Sequence, residues 1–207
     1  MKTRGIVMKT LLPALMAGIL MTSCTPNGTA TLKNSSATPS PTGSATAAAT
    51  ESAQPFTVST SAFADNGAIP LQYSGYGANE SFPLSFSNAD LKTQGIAVIM
   101  DDPDAPAGTF THWVIWNIPG NASWIPGNLV KTGVVQLLMG AKQGSNDTGK
   151  LGYFGPMPPS GTHTYMIKAY TLDVVLSLTE GSSKADLESA MQGHILQTSV
   201  YKGTYTK

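Results

Sequence analysis

Hydrophobic side chains along this chain recur mostly at the two-residue spacing of β-strands. From His163 to Leu172 apolar and polar positions alternate, so His163, Tyr165, Ile167 and Ala169 share one strand face. Residues 112 to 118 alternate as well, which predicts His112, Val114 and Trp116 on one face and Trp113, Ile115 and Asn117 on the other. Residues 96 to 101 are almost continuously apolar up to Asp101, the pattern of a strand covered on both faces. Phe56 to Thr60 reads as an edge strand, Asn66-Gly67 as a turn, and Ser74 to Asn79 as a glycine-rich loop. Ser81 to Phe86 predicts a short strand that Pro83 would confine to an edge. Val134 to Met139 fits a buried strand, though the run is too short to exclude a helix, and Gly140 to Gly152 reads as a loop.

One stretch has helical spacing. Ser183 with Asp186 resembles a capping box, and Leu187, Ala190, Met191, His194 and Ile195 form one stripe, weakened by Gly193 near its end. On this stripe His194 reads as structural. No internal repeat is visible. Several strands, one clear helix and frequent turn signals predict a mainly β, largely antiparallel domain with a peripheral helix.

The N-terminal region departs from this pattern. Lys2, Arg4 and Lys9 precede an apolar run from Leu11 to Met21, too short for the roughly 20 apolar residues of a spanning helix. The run ends in Leu20-Met21-Thr22-Ser23-Cys24, which resembles a bacterial lipoprotein signal with Cys24 as the lipidated residue. Met8 is a second candidate start, and a plain secretory signal with an incidental cysteine is the alternative. Residues 25 to 54 are rich in Ser, Thr, Ala, Gly and Pro and cannot bury enough apolar surface to offset their ordering entropy. As a flexible chain they would span about 30 Å. The expected organisation is a signal peptide over 1–23, a lipidated cysteine and spacer over 24–54, and a folded domain over 55–207. The expected location is extracytoplasmic, with acyl chains on Cys24 holding the protein to a membrane.

Charged residues are 12% of the 207, with acids and bases balanced. There is no basic stripe, so nucleic acid is not expected as a partner. Cys24 is the single cysteine, which excludes an intramolecular disulfide framework and a cysteine-rich zinc site.

Polar chemistry concentrates in two patches. The first is Asp101-Asp102-Pro103-Asp104-Ala105-Pro106 with His112-Trp113. Acids at the rim of a buried strand are unfavourable unless partnered. Asp102 is the stronger functional candidate, and Asp104 the more ordinary turn or pocket-rim residue. The second patch runs from Gly155-Pro156 through Pro158-Pro159 to Gly161-Thr162-His163-Thr164-Tyr165. Its prolines and glycines make a stiff segment suited to bringing its remaining N–H groups towards an anion, and a cis X-Pro bond is plausible there.

Together these motifs resemble the phosphatidylethanolamine-binding protein family, in its bacterial Raf kinase inhibitor-like branch. The Gly67-Ala68-Ile69-Pro70, Asn79-x-Ser81-x-Pro83-Leu84 and Gly193-His194-Ile195-Leu196 segments fit too, and the likeness covers about residues 56 to 207. It implies a large antiparallel sheet with a smaller sheet, and a small pocket for phosphate-like head groups. Carried over, Asp102, His112, His163 and Tyr165 would line this pocket, with Gly155 and Pro156 at its rim. No cofactor or required metal is implied. Two departures stand out: Thr164 where the family usually has arginine, and Phe82-Pro83 where it usually has two prolines. The arginine's absence removes a fixed cation and its fork of donors.

The expected function is therefore an anchored binding protein for a small phosphate-like anion or phospholipid head group, whose affinity rises as the histidines protonate. Competing readings are a metal-dependent hydrolase built on two histidines and an aspartate, and an inhibitory protein-interaction module whose partner nothing here specifies. No G-x-S-x-G elbow supports a serine hydrolase, and Ser160 neighbours His163 in sequence only.

Overall fold

A computed structural model describes residues 54–207, so the signal, Cys24 and almost all of the spacer lie outside the described residues. The strands are β1 (Thr57–Ser59), β2 (Gly67–Ala68), β3 (Leu84–Ser87), β4 (Gly95–Asp102) and β5 (Phe110–Pro119), followed by β6 (Trp124–Ile125), β7 (Val134–Val135), β8 (Ala141–Gln143) and β9 (Thr162–Leu172). One helix, α1 (Lys184–Met191), precedes the last strand, β10 (Ile195–Thr206). A large sheet has the order β2-β10-β9-β4-β5-β8-β7 and a small one the order β1-β3-β6. All named pairings are antiparallel except β2 with β10.

Strand β4 lies at the centre of the large sheet, and all of its residues are buried. Ile96, Val98 and Met100 face a core shared with Val58, Leu84, Phe86 and Ile125 of the small sheet. Ala97 and Ile99 face the opposite core, closed by Leu176 and by Leu187 and Met191 of α1. The two covered faces explain why this strand is apolar without alternation. Asp101 follows the second face. Its carboxylate, 1% exposed, accepts from Lys168 Nζ at 2.9 Å and Lys184 Nζ at 2.8 Å, fastening α1 to the sheet.

Several local expectations change. Strand β3 occupies the middle of the small sheet rather than an edge, because it begins after Pro83 and the proline never enters the ladder. Val134 to Met139 is neither a single strand nor a helix. It breaks into β7, a 3-10 turn over Gln136–Leu138 and Met139 in the left-handed region. The segment 140–152 contains β8, whose Gln143 accepts from Trp113 Nε1 at 2.8 Å and donates to the Val130 and Thr132 carbonyls. The helical stripe stops at Met191. The capping box of Ser183 and Asp186 forms as expected, but Gln192 leaves helical geometry and Gly193 turns the chain at φ +80°. His194 is therefore exposed on the surface beside Asp173, at 2.9 Å, and Ile195 opens β10, a long strand that the periodicity left unmarked. All peptide bonds among the described residues are trans.

Candidate functional site

The site forms where β4 ends and β5 and β9 begin. Asp102, at the end of β4, is buried on the small-sheet side and accepts from His163 Nδ1 at 2.7 Å. Its second oxygen accepts from the Asp104 backbone N–H at 2.9 Å. Asp104 in turn accepts from the Thr164 N–H at 2.8 Å, just beyond the last β4–β9 pair, Asp101 with Met166. The carboxylate thus takes over where the ladder stops and fixes the strand that carries His163.

His112 reaches the same place by a different device. Met100 pairs with Trp113 and Asp101 with Thr111, which leaves His112 as an extra residue in β5. A bulge of this kind re-aims a side chain. Val114 and Trp116 point into the helix-side core, as strict alternation with His112 would require. His112 instead turns to the opposite side and meets Tyr165 edge-on, with ring centroids 5.1 Å apart. The predicted grouping of His112 with Val114 and Trp116 is corrected for this reason. A second register shift, at Asn117 with φ +56°, moves Ile118 rather than Asn117 into the core beside Trp113 and Ile115.

The bulged histidine is locked from one neighbour. Phe154 donates its N–H to the His112 carbonyl at 2.9 Å, and His112 Nδ1 donates to the Phe154 carbonyl at 2.7 Å. The Phe154 ring lies parallel to the imidazole at 5.7 Å, and Phe110 flanks it at 4.8 Å. Burial lowers the His112 pKa below its ordinary value, against the opposing pull of the Phe154 carbonyl and of Asp102, Asp101 and Asp147.

Asp102, His112 and His163 line a cavity of about 270 Å³ whose remaining wall is largely apolar. Phe110, Phe154, Met157, Pro158 and Pro159 supply most of the apolar lining, and Thr148 adds a hydroxyl. Among the described residues no lysine or arginine belongs to this wall, in keeping with threonine at position 164. Tyr165 does not reach the cavity surface. It is fully buried beneath His112, and its hydroxyl has no hydrogen-bond partner among the described residues. Burial and the Asp102 charge raise its pKa, so it stays a neutral phenol.

Gly155 and Pro156 also lie off the cavity. The Gly155 N–H is taken by Asn79 Oδ1 at 2.8 Å, and the Pro156 carbonyl accepts from the Gly75 N–H at 2.9 Å. A Cβ on Gly155 would stand 2.2 Å from the Tyr73 carbonyl oxygen. These two residues clamp the wall segment to the glycine-rich loop, and Tyr76 adds a bond from its hydroxyl to the Pro158 carbonyl at 2.8 Å. The Gly155 N–H, one of the donors expected to approach an anion here, is therefore spent within the protein. Sequence reasoning passed over Phe110, Thr148 and Phe154. An aromatic directly before Gly155-Pro156 was the available signal for the last of these.

Comparisons with known proteins converge. The family model described as Phosphatidylethanolamine-binding protein matches residues 59–206. A Methanothermobacter thermautotrophicus chain, named only UPF0098 protein, is 45% identical over 150 residues, covering 72% of this chain and 98% of its own length. A Mycobacterium tuberculosis relative, named as a candidate lipoprotein, LppC, is 36% identical over 143 residues, 68% of this chain and 67% of its own. Among solved structures, the phosphatidylethanolamine-binding protein homolog CT736 of Chlamydia trachomatis aligns with a TM-score of 0.68 at 36% identity, covering 74% of this chain and 98% of its own. Escherichia coli YbcL, described as a member of the mammalian family, aligns with a TM-score of 0.69 at 27% identity, covering 74% and 99%.

Proposed function

The chain belongs to the phosphatidylethanolamine-binding protein family, and from that premise we propose that it is an extracytoplasmic, lipid-anchored binding protein whose cavity holds a small phosphate-like anion. The observation that carries this reading is the buried Asp102–His163 pair, with a 2.7 Å contact, set into an otherwise apolar wall. Nδ1 of His163 donates to the carboxylate, which leaves Nε2 as the edge that an anion would meet. Protonated, that edge is a charge-assisted donor and the pair as a whole is neutral. His163 is the principal anion contact in this reading, Asp102 its orienting partner, and Tyr165 a support beneath His112. Gly155 and Pro156 act on the ligand only through the wall that they hold.

Binding without turnover is the better reading of these groups. Thr148, the hydroxyl on the wall, is hydrogen-bonded to Asn146 Oδ1 rather than to an imidazole, so among the described residues it is not paired with a base as a nucleophile would be. Anchoring is supported by the Leu20-Met21-Thr22-Ser23-Cys24 motif and by similarity to a relative named as a candidate lipoprotein. We place the signal at 1–23, the lipidated cysteine and spacer at 24–54 and the binding domain at 55–207. Calorimetric titration with inorganic phosphate between about pH 5.5 and 8 tests the binding function. Affinity should weaken as pH rises, and it should be lost in His163→Phe. Affinity that holds steady across this range counts against the histidine mechanism.

A further inference from the structure

The two imidazoles at the cavity are wired differently, and the difference specifies the ligand more closely. We propose that the cavity selects a singly protonated oxyanion, a phosphomonoester monoanion above all, because His112 presents it with a hydrogen-bond acceptor and His163 with a donor. This rests on the anion-binding reading given above.

The wiring follows from the partners. Each Nδ1 is 2.7 Å from an oxygen that can only accept, the Phe154 carbonyl for His112 and the Asp102 carboxylate for His163. Both Nδ1 atoms therefore carry hydrogen, and each ring offers Nε2 to whatever enters. His112 is 3% exposed and wrapped by Phe110, Phe154 and Tyr165. Its backbone and ring are tied to the same residue. Burial disfavours its imidazolium, as the lowered pKa also indicates, so its Nε2 is a lone pair. His163 instead has the Asp102 carboxylate in direct contact, a charge that balances an imidazolium, so its Nε2 is the edge suited to donate to an anion.

The groups that face His112 bear on this directly. They are Asp102 on β4, Tyr165 and His163 on β9, and, at longer range, Asp147 in the loop after β8 and Asp101. Asp101 is already neutralised by Lys168 and Lys184. Asp147 is turned to the Thr111 N–H at 2.7 Å. Among the described residues no fixed cation lines the cavity to attract a second negative charge. A dianion would set an oxygen against the His112 lone pair with nothing between them. A phosphodiester has the single charge but no O–H to donate. A phosphomonoester near its second pKa of about 6 has both an O–H and a negatively charged oxygen.

The test is calorimetry of the purified protein, with Cys24→Ser removing the anchor, against methyl phosphate, dimethyl phosphate and methylphosphonate, whose second pKa lies higher. Methyl phosphate should bind at least about tenfold more tightly than dimethyl phosphate near pH 5.5, the scale of one lost hydrogen bond to a charged ligand. The pH at which affinity falls should move upward for methylphosphonate, following the ligand's pKa. In His112→Phe the ratio of monoester to diester affinity should collapse towards one. Dimethyl phosphate binding as well as the monoester, or a pH midpoint shared by phosphate ester and phosphonate, overturns the proposal and leaves the anion pocket standing. No binding by any of the three overturns both. Sedimentation with vesicles of phosphatidic acid, a lipid monoester, but not phosphatidylcholine supports a lipid source. Methyl phosphate binding without sedimentation supports a soluble one.

Discussion

His112 should make the ligand-free protein lose stability in mild acid, and replacing it should remove that loss. In the folded state burial holds the imidazole pKa below 6.5, whereas in the unfolded chain it returns to about 6.5. Below the unfolded value the unfolded state binds a proton that the native state refuses. Stability from this group is thus complete above about pH 7 and declines as pH falls, until the folded pKa is reached and both states carry the proton. If the ring stays neutral throughout, the decline between about pH 7.5 and 5.5 approaches about 1.4 kcal/mol, the free energy of protonating one free imidazole one unit below its pKa. With urea m-values of about 1–3 kcal/mol/M, that is a fall of roughly 0.5–1.4 M in the unfolding midpoint. His112→Phe keeps an aromatic ring among Phe110, Phe154 and Tyr165 but strands the Phe154 carbonyl, which costs about 1–3 kcal/mol at both pH values. Other titrating groups act in both proteins, so the difference between their two slopes isolates this one. Urea unfolding of wild type and variant at the two pH values makes the measurement. Equal slopes would refute the view that His112 is a buried neutral base.

Three further outcomes follow from contacts already described. Gly155→Ala, whose Cβ would meet the Tyr73 backbone oxygen at 2.2 Å, should lower stability by about 3 kcal/mol or more, and thermal melts should also show loss of phosphate binding as the cavity wall shifts. Asp101→Ala leaves Lys168 and Lys184 without their shared carboxylate and should cost about 3–5 kcal/mol, with hydrogen exchange rising first across α1. Asp104→Ala, losing an exposed bond to the Thr164 N–H, should cost about 1 kcal/mol or less yet weaken phosphate binding several-fold in calorimetry, since it frees the backbone next to His163.

Much of the domain could be read along the chain because its strands obey a local rule. The apolar run ending at Met100 and the alternation from His163 to Leu172 are β4 and β9, neighbours in the large sheet. Tyr165, Ile167 and Ala169 enter one core together, as a two-residue period demands. The capping box at Ser183 is local too, and it formed where it was written. Local rules failed where the determining contact lay elsewhere in the chain. Helical spacing carried the stripe past Met191 because nothing nearby announces that Ile195 will pair with Leu172. Pro83 reads as an edge signal until the strand is seen to start one residue later.

The candidate site divides the same way. Residue types drew attention to Asp102 and to the proline-rich segment, and the family resemblance carried by the motifs pointed to Asp102, His112 and His163 as pocket residues. Tyr165, Gly155 and Pro156 were named with them, but the structure sets the first beneath the cavity and uses the other two as a clamp. The direction of His112 was beyond any periodicity, since one unpaired residue in β5 reverses it, and that register depends on hydrogen bonds to β4. So were the different partners that the two imidazoles find. A histidine's protonation is set by what touches Nδ1 and by how much water remains around the ring. Those partners, Asp102 and the Phe154 carbonyl, are 61 and 42 residues away along the chain. Patterning along the sequence determined that a polar cluster would stand at the end of a buried strand. Only the packing of distant segments decided which of its groups hold one another and which are left to meet a ligand.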